Sequence, residues 1–316
     1  MSKYRLVTRS DFDGLVCAVL LEHLEMIDDI LFVHPKDMQD GKVAITANDI
    51  TTNLPYVDGV HLAFDHHESE TLRNDTHDNH VILPHAPSAA RVVWDYYGGE
   101  ASFPRTWLDM MEAVDKADSA QYSEGEVLHP RGWELLNFIM DPRTGLGRFR
   151  DFRISNYDLM MDLIAYCKNH TIEEILQLPD VAERTELYFA HQDAAKEQIE
   201  RCSTAHENLI VLDLTGEDTI WPANRFLIYA MYPQCNISIH KMWLPPAEHR
   251  LRHRQVDPGS QLHHERRRDH AAIRRRGHAA AGTCQVETDD ADRVLRELIE
   301  SITADHRAAT GANSVS

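Results

Sequence analysis

Lysine is scarce: the 316-residue chain carries seven, and its formal net charge is −19. So acidic a chain has no general attraction for long duplex nucleic acid, which normally meets a basic face. A small anionic substrate neutralised by metal ions stays compatible with it, and the shortage of lysine also fits solvation at high salt. Long apolar runs are missing as well. No stretch approaches the roughly 20 residues that span a bilayer, and Met-Ser-Lys-Tyr does not open a signal peptide, so a soluble, cytoplasmic protein without a membrane partner is expected. Paired cysteines are absent too. Cys17, Cys167, Cys202, Cys235 and Cys284 stand singly, which excludes a zinc ribbon or a disulfide framework and leaves reduced, mostly buried thiols.

What the chain does have is acids at the ends of apolar segments. Tyr4 to Thr8 reads as a strand and Leu15 to Leu24 as a buried helix, with Ser10-Asp11-Phe12-Asp13-Gly14 between them. The two acids stand at i and i+2 on a strand-to-helix turn, where Gly14 lets the backbone turn tightly. The run Val43 to Ile50 reads as a second strand, ending in Asp49. A third, Val60 to Phe64, delivers Asp65-His66-His67-Glu68. Ser88 to Tyr97 reads as a helix closed by Gly98-Gly99, and Trp107 to Val114 as another leading into Asp115-Lys116-Ala117-Asp118-Ser119. Each acid alone is an ordinary cap or turn residue. Strands alternating with helices and ending in acids describe a parallel α/β sheet with its site at the carboxyl edge, and imidazole beside carboxylate suits a borderline ion such as Mn²⁺.

In combination these motifs resemble the DHH phosphoesterase superfamily, which is named for the tripeptide at Asp65-His66-His67. The resemblance implies two Mn²⁺ ions, with Mg²⁺ as the substitute: Asp49 bridging them, Asp11 on one, and Asp13, His66 and Asp118 on the other. Asp115 stands as the alternative to Asp118. His67 would face the substrate phosphate, and Asp65 would orient a ligand from behind. One position departs from the pattern: many members carry a His ligand four residues before the first Asp, where this chain has Val7. Residues 1–150 would form this catalytic domain.

Residues 151–205 read as a helical connector, with apolar positions at helical spacing over Leu159 to Cys167, Ile172 to Leu178 and the long run Val181 to Cys202. A second, smaller α/β unit is expected over 206–303, with strands at Leu209 to Leu214 and Asn236 to His240, a helix at Asn224 to Tyr232, and a C-terminal helix at Asp290 to Ile302. Residues 304–316 read as a disordered tail. This unit resembles the DHHA1 domain, whose glycine run ending in His holds substrate. Gly277 and His278 match that ending, while Arg274-Arg275-Arg276 stands where glycines are expected. Residues 244–276 hold nine of the chain's 25 arginines and five of its 20 histidines, without strand or helix periodicity. With permitted codons, Glu248 to Arg276 read one base later gives Asn-Thr-Val-Phe-Ala-Thr-Gly-Lys-Ser-Ile-Leu-Asp-Arg-Ser-Ser-Thr-Thr-Asn-Val-Gly-Ala-Ile-Thr-Leu-Arg-Tyr-Gly-Gly-Gly. The expectation is two compensating frameshifts, near Trp243 and Gly277. The segment as written would then be disordered and bind substrate poorly.

The resemblance implies a hydrolase acting on short oligonucleotides or nucleotide phosphates by a two-metal mechanism. An exopolyphosphatase or pyrophosphatase is the enzymatic alternative, and a catalytically weak nucleotide-binding regulator the alternative of another class. A homodimer is left open.

Overall fold

The computed structural model describes residues 3–67, 77–149, 151–243, 260–265 and 281–311. The chain divides into two compact units: Met1–Ala190 with Pro222–Arg225, and His191–Trp221 with Phe226–Ser316. The helices expected to form a separate connector are therefore shared between the units.

The first unit is built on strands β1 (Tyr4–Arg9), β2 (Ile27–Val33), β3 (Asp49–Thr52), β4 (Leu62–Asp65) and β5 (His80–Ile82). They lie in the order β2-β1-β3-β4-β5, every neighbouring pair parallel, as expected of an α/β domain. Its helices are α1 (Phe12–His23), α2 (Pro35–Gln39), α3 (Ala89–Tyr96), α4 (Leu108–Asp118), α5 (Glu124–Leu128), α6 (Gly132–Met140), α7 (Asn156–Asn169), α8 (Ile172–Leu176) and α9 (Pro179–Ala190). Helix α1 is the axis of the core: every residue from Leu15 to Leu21 is fully buried, and α3, α4 and α7 pack around it. Each of its buried leucines contributes about 1.5–3 kcal/mol relative to an exposed one, so the turn in front of the helix is fixed by the whole core behind it. Gly14 lets α1 start against the end of β1. A Cβ there would stand 1.9 Å from the Arg9 carbonyl oxygen and 2.8 Å from the Thr8 hydroxyl.

Strand β3 differs from the expected one. Residues 43–48 are not strand; Val43 and Ile45 pack instead into a satellite cluster with Val7, Met38 and Leu54. The strand begins at Asp49 rather than ending there. Its inner positions are polar, Thr51 and Thr52 being buried, and the Thr52 hydroxyl donates to the Thr8 hydroxyl at 2.7 Å. An apolar pattern could not reveal such a strand.

The second unit opens with α10 (Gln192–Cys202); the long run expected over Val181 to Cys202 is thus two helices, broken at His191. Then come β6 (Ser203–His206), β7 (Leu209–Asp213), α11 (Leu227–Met231), β8 (Ile237–Trp243), β9 (Ser260–Glu265), β10 (Ala281–Val286) and α12 (Ala291–Gly311). The sheet order is β10-β9-β8-β7-β6, with β7 and β8 parallel and the other pairs antiparallel. Leu298 and Ile302 of α12 cover Leu209, Val211, Ile237 and Ile239. Two expectations are corrected here. Helix α12 runs through Gly311 into the tail expected to be disordered from 304, over alanine-rich sequence of high helix propensity. Within 244–276, residues 260–265 form a strand, since the edge of β8 is filled by main-chain hydrogen bonds that need no apolar alternation. Gly277 and His278 lie outside the described residues. Among the described residues, no helix is long and apolar enough to cross a membrane.

Candidate active site

The carboxyl edge of the first sheet gathers the chemistry. Strand β1 ends in the turn that makes Asp11 the N-cap of α1, its Oδ1 accepting from Gly14 N at 3.0 Å. Asp13, in the first turn of the helix, is 2% exposed; its two oxygens accept from Ala89 N (3.0 Å) and Ala90 N (2.7 Å) at the start of α3. Those backbone donors fix the carboxylate where the positive end of the α3 dipole favours it. Strand β4 ends at Asp65 and hands on His66 and His67, while Asp118 arrives on the last turn of α4.

Asp13, His66 and Asp118 converge: one donor atom from each lies within 4.8 Å of the others. His66 Nε2 is 2.8 Å from Asp118 Oδ2. The other ring nitrogen, Nδ1, is 3.1 Å from the Ala86 carbonyl, and donating there leaves the Nε2 lone pair of the neutral ring facing the cluster. The cluster calls for positive charge. Burial and the charge of Asp118 push the Asp13 carboxyl up to about 8. For His66 burial pulls downward, but the hydrogen bond to Asp118 and the carboxylates of Asp118, Asp13 and Asp65 raise it to about 10.

His67 has a different partner. Its Nδ1 is 2.5 Å from Asp65 Oδ1, which also accepts from the backbone N–H groups of His66 (2.8 Å) and His67 (3.3 Å). Asp65 is 1% exposed, so it acts as a fixed strut for the His67 ring, held through Nδ1. The carboxylate expected to orient a ligand thus orients His67.

Other expected residues are placed elsewhere. Asp49 sits at the amino edge of the sheet, opposite β1 residue Arg5, whose Nε donates to it at 2.7 Å; Thr46 N and Oγ1 donate to its second oxygen at 2.6 and 3.0 Å. Burial opposes its charge, but Arg5 and Thr46 hold the carboxyl below its ordinary range. It bridges nothing at the carboxyl edge, because the parallel strand begins at Asp49 and runs to Thr52. The residue that follows that end is Asn53, whose Nδ2 donates to Asp11 Oδ1 at 3.2 Å. Arg9 Nε stands 2.8 Å from the other oxygen of Asp11. Val7 is fully buried among Met38 and Leu54, and so offers no ligand. Asp115, the alternative to Asp118, accepts from Ser88 Oγ (2.7 Å) and Arg91 Nε (2.9 Å) and stays outside the cluster.

Beside the cluster lies a small open recess whose polar lining includes Asp11, Asp13, Asp118, Asp141, Arg143 and Arg225. The last three were not legible in the sequence. Asp141-Pro142-Arg143 reads there as an ordinary turn, and Arg225 reaches the recess from a distant segment that packs into this unit.

No family model matches the chain, and no curated protein does. Several solved structures match it, among them two that align over most of the chain. An uncharacterized protein from Helicobacter pylori G27 is 11% identical over 94% of this chain and 98% of its own, with a TM-score of 0.34, a likeness too slight to carry an argument. The pGpG-specific phosphodiesterase PggH from Vibrio cholerae is 56% identical over 96% of this chain and 100% of its own, with a TM-score of 0.77. With that identity over nearly its whole length, and with its acidic and imidazole groups gathered at one sheet edge, the chain belongs to the family of this phosphodiesterase and is a hydrolase.

Proposed function

We propose that the chain is a DHH-type phosphoesterase that hydrolyses short linear oligonucleotides, foremost a 5′-phosphorylated diguanylate of the pGpG kind, with one divalent cation held by Asp13, His66 and Asp118. The observation that carries this reading is the convergence of those three donors within 4.8 Å at the carboxyl edge, next to a second histidine braced by its own carboxylate. One imidazole and two carboxylates fit Mn²⁺, with Mg²⁺ as a weaker substitute that prefers oxygen donors. One ion is favoured over two because, among the described residues, no further carboxylate joins Asp13 and Asp118 in the cluster to bridge a pair. Asn53 follows the end of β3, Asp49 is at the other edge, and Asp11 already has Arg9 and Asn53 on its oxygens.

When bound, such an ion supplies Lewis acidity to a phosphoryl oxygen and a water of lowered pKa. The rest falls to side chains. His67, steadied through Nδ1 by Asp65, presents Nε2 to the reacting phosphate and gives a proton to the departing 3′ oxygen as water adds to phosphorus. The P–O3′ bond breaks, and a 5′-phosphorylated dinucleotide becomes two nucleoside 5′-monophosphates. Asp13 and His66 are held in place by the α3 backbone and the Ala86 carbonyl, so the donors need little rearrangement to receive the ion.

The test is a substrate panel with Mn²⁺ and with EDTA: pGpG, longer oligonucleotides, pyrophosphate and polyphosphate. The chain as written and the chain with residues 244–276 restored to the shifted frame are assayed in parallel. The expected result is metal-dependent release of GMP from pGpG, falling with oligonucleotide length. Faster release of phosphate from pyrophosphate or polyphosphate, or no hydrolysis by either chain, would sink the reading.

A further inference from the structure

The turn between β1 and α1 carries two carboxylates with different surroundings. Asp13 joins His66 and Asp118 in the cation cluster, while both oxygens of Asp11 are engaged within the chain. Its Oδ1 accepts from Gly14 N (3.0 Å) and Asn53 Nδ2 (3.2 Å), and its Oδ2 stands 2.8 Å from Arg9 Nε. Asn53 is 1% exposed and takes a left-handed backbone (φ 56°), which asparagine tolerates better than most residues with a side chain. Asp11 is thereby held from two strand ends, and it holds Arg9 in turn.

Arg9 is the last residue of β1, and its side chain is 26% exposed. It meets Asp11 through Nε; among the described residues no acceptor meets Nη1 or Nη2. Other arginines of the same unit use their outer nitrogens. Arg5 donates from Nη2 to the Ala44 carbonyl at 2.9 Å, and Arg91 and Arg143 grip Asp115 and Asp141 with Nε and Nη2 together. Arg105 also meets its acid through Nε, but its side chain is 81% exposed and has solvent for the rest. A guanidinium fixed by one nitrogen, mostly covered, and standing at the sheet edge that gathers the cation cluster is a fork set for an oxyanion from outside the chain.

On the reading above, on which this inference rests, one cation meets the reacting phosphate and His67 protonates the departing 3′ oxygen. As water adds to phosphorus, negative charge builds on both non-bridging oxygens, and donors already in place where it builds are what lower the barrier. We propose that Arg9 is a catalytic residue whose two Nη groups take the non-bridging oxygen that the cation does not, so that a guanidinium fills the place a second ion has in a dinuclear site. No proton or electron passes through it. Asp11 is the positioning residue that fixes Nε, and because it also balances the charge of Arg9, the contribution is directed hydrogen bonding rather than an excess of positive charge.

The binding test titrates inorganic phosphate into the full chain in Mg²⁺ buffer, read by calorimetry. Arg9→Gln should weaken phosphate binding by about 10–100-fold, the range for charge-assisted hydrogen bonds, and Arg9→Lys by less. Mn²⁺ affinity should be the same in all three proteins, because Arg9 is paired with Asp11 and not with the three converging donors. The kinetic test uses pGpG and its two isomers with sulfur in place of one or the other non-bridging oxygen of the diester. Arg9→Gln should lower kcat on pGpG about 10²–10³-fold, as loss of a preorganised donor does. In the unaltered chain Cd²⁺ should restore the isomer whose sulfur faces the ion and leave the other slow, and that second isomer should lose its handicap in Arg9→Gln. Restoration of both isomers by Cd²⁺, or a handicap that persists without Arg9, would give that oxygen to another group and overturn the proposal. Phosphate affinity unmoved by Arg9→Gln, or a variant whose activity falls only as its Mn²⁺ is lost, would overturn it as well. Arginine-dependent phosphate binding in a chain that hydrolyses no dinucleotide would overturn the proposed reaction and leave Arg9 as the group that meets phosphate.

Discussion

Replacing Asp49 by Asn should weaken the fold and leave the ion site intact. The carboxylate accepts from Arg5 at 2.7 Å and twice from Thr46, at 2.6 and 3.0 Å, and its side chain is 2% exposed while that of Arg5 is 31% exposed. Breaking one partner of a fully buried ion pair costs about 3–5 kcal/mol, whereas exposed pairs contribute roughly 0–1 kcal/mol. With one partner buried, the other a third in water, and the amide still able to accept one hydrogen bond, a loss of about 1–3 kcal/mol is expected. For a unit of this size that corresponds to a fall in Tm of roughly 2–12 °C. The pH dependence has a definite sign. Arg5 and Thr46 hold the folded Asp49 carboxyl below its ordinary value, so its stabilisation is complete above an unfolded pKa of about 3.9 and fades as pH falls through the lower, folded value. Melting curves of both proteins between pH 3 and 7 should therefore lie furthest apart near neutrality and approach each other in acid. Metal content measured on the same samples should be equal. An Asp49→Asn protein that melts like the unaltered chain but has lost its metal would refute this reasoning and make Asp49 a ligand.

Asp118→Asn should lose both Mn²⁺ binding and turnover, since it removes one of three converging donors; calorimetry with Mn²⁺ reads this directly, and undiminished affinity would point to Asp115 instead. His67→Gln should keep the ion and lose about 10²–10⁴-fold in kcat, with Asp65→Asn following it in the same direction because Asp65 fixes the ring; metal loss in either variant would contradict the division of labour between His66 and His67. Sequencing the coding DNA should find single-base shifts near Trp243 and Gly277 that restore a glycine run before His278, and the restored chain should show a lower KM; a coding sequence without such shifts would refute the frameshift.

The parts of the site that were legible are those that one short stretch of chain supplies. Asp11-Phe12-Asp13-Gly14 and Asp65-His66-His67 each sit on a single strand end, so alternation, a glycine and the residue types were enough to place them. Asp118 over Asp115 was not decidable, because successive turns of α4 present both and tertiary packing alone turns Asp115 toward Ser88 and Arg91. Asp49 was misplaced for a physical reason: the apolar residues before it are spent on a satellite cluster, while β3 itself buries threonines through mutual hydrogen bonds. Arg225 was invisible because its place in the recess depends on a return of the chain into the first unit that no local pattern encodes. Strand β9 eluded the sequence as well, since main-chain pairing with β8 and β10 defines it.

The most direct measurement is a titration of Mn²⁺ into metal-stripped protein with pGpG hydrolysis as the readout. Activity should be absent at the start, rise with added ion, and saturate at one ion per chain, with GMP as the product. Hydrolysis without metal, or activity that appears only as a second ion binds, would contradict a single cation at Asp13, His66 and Asp118.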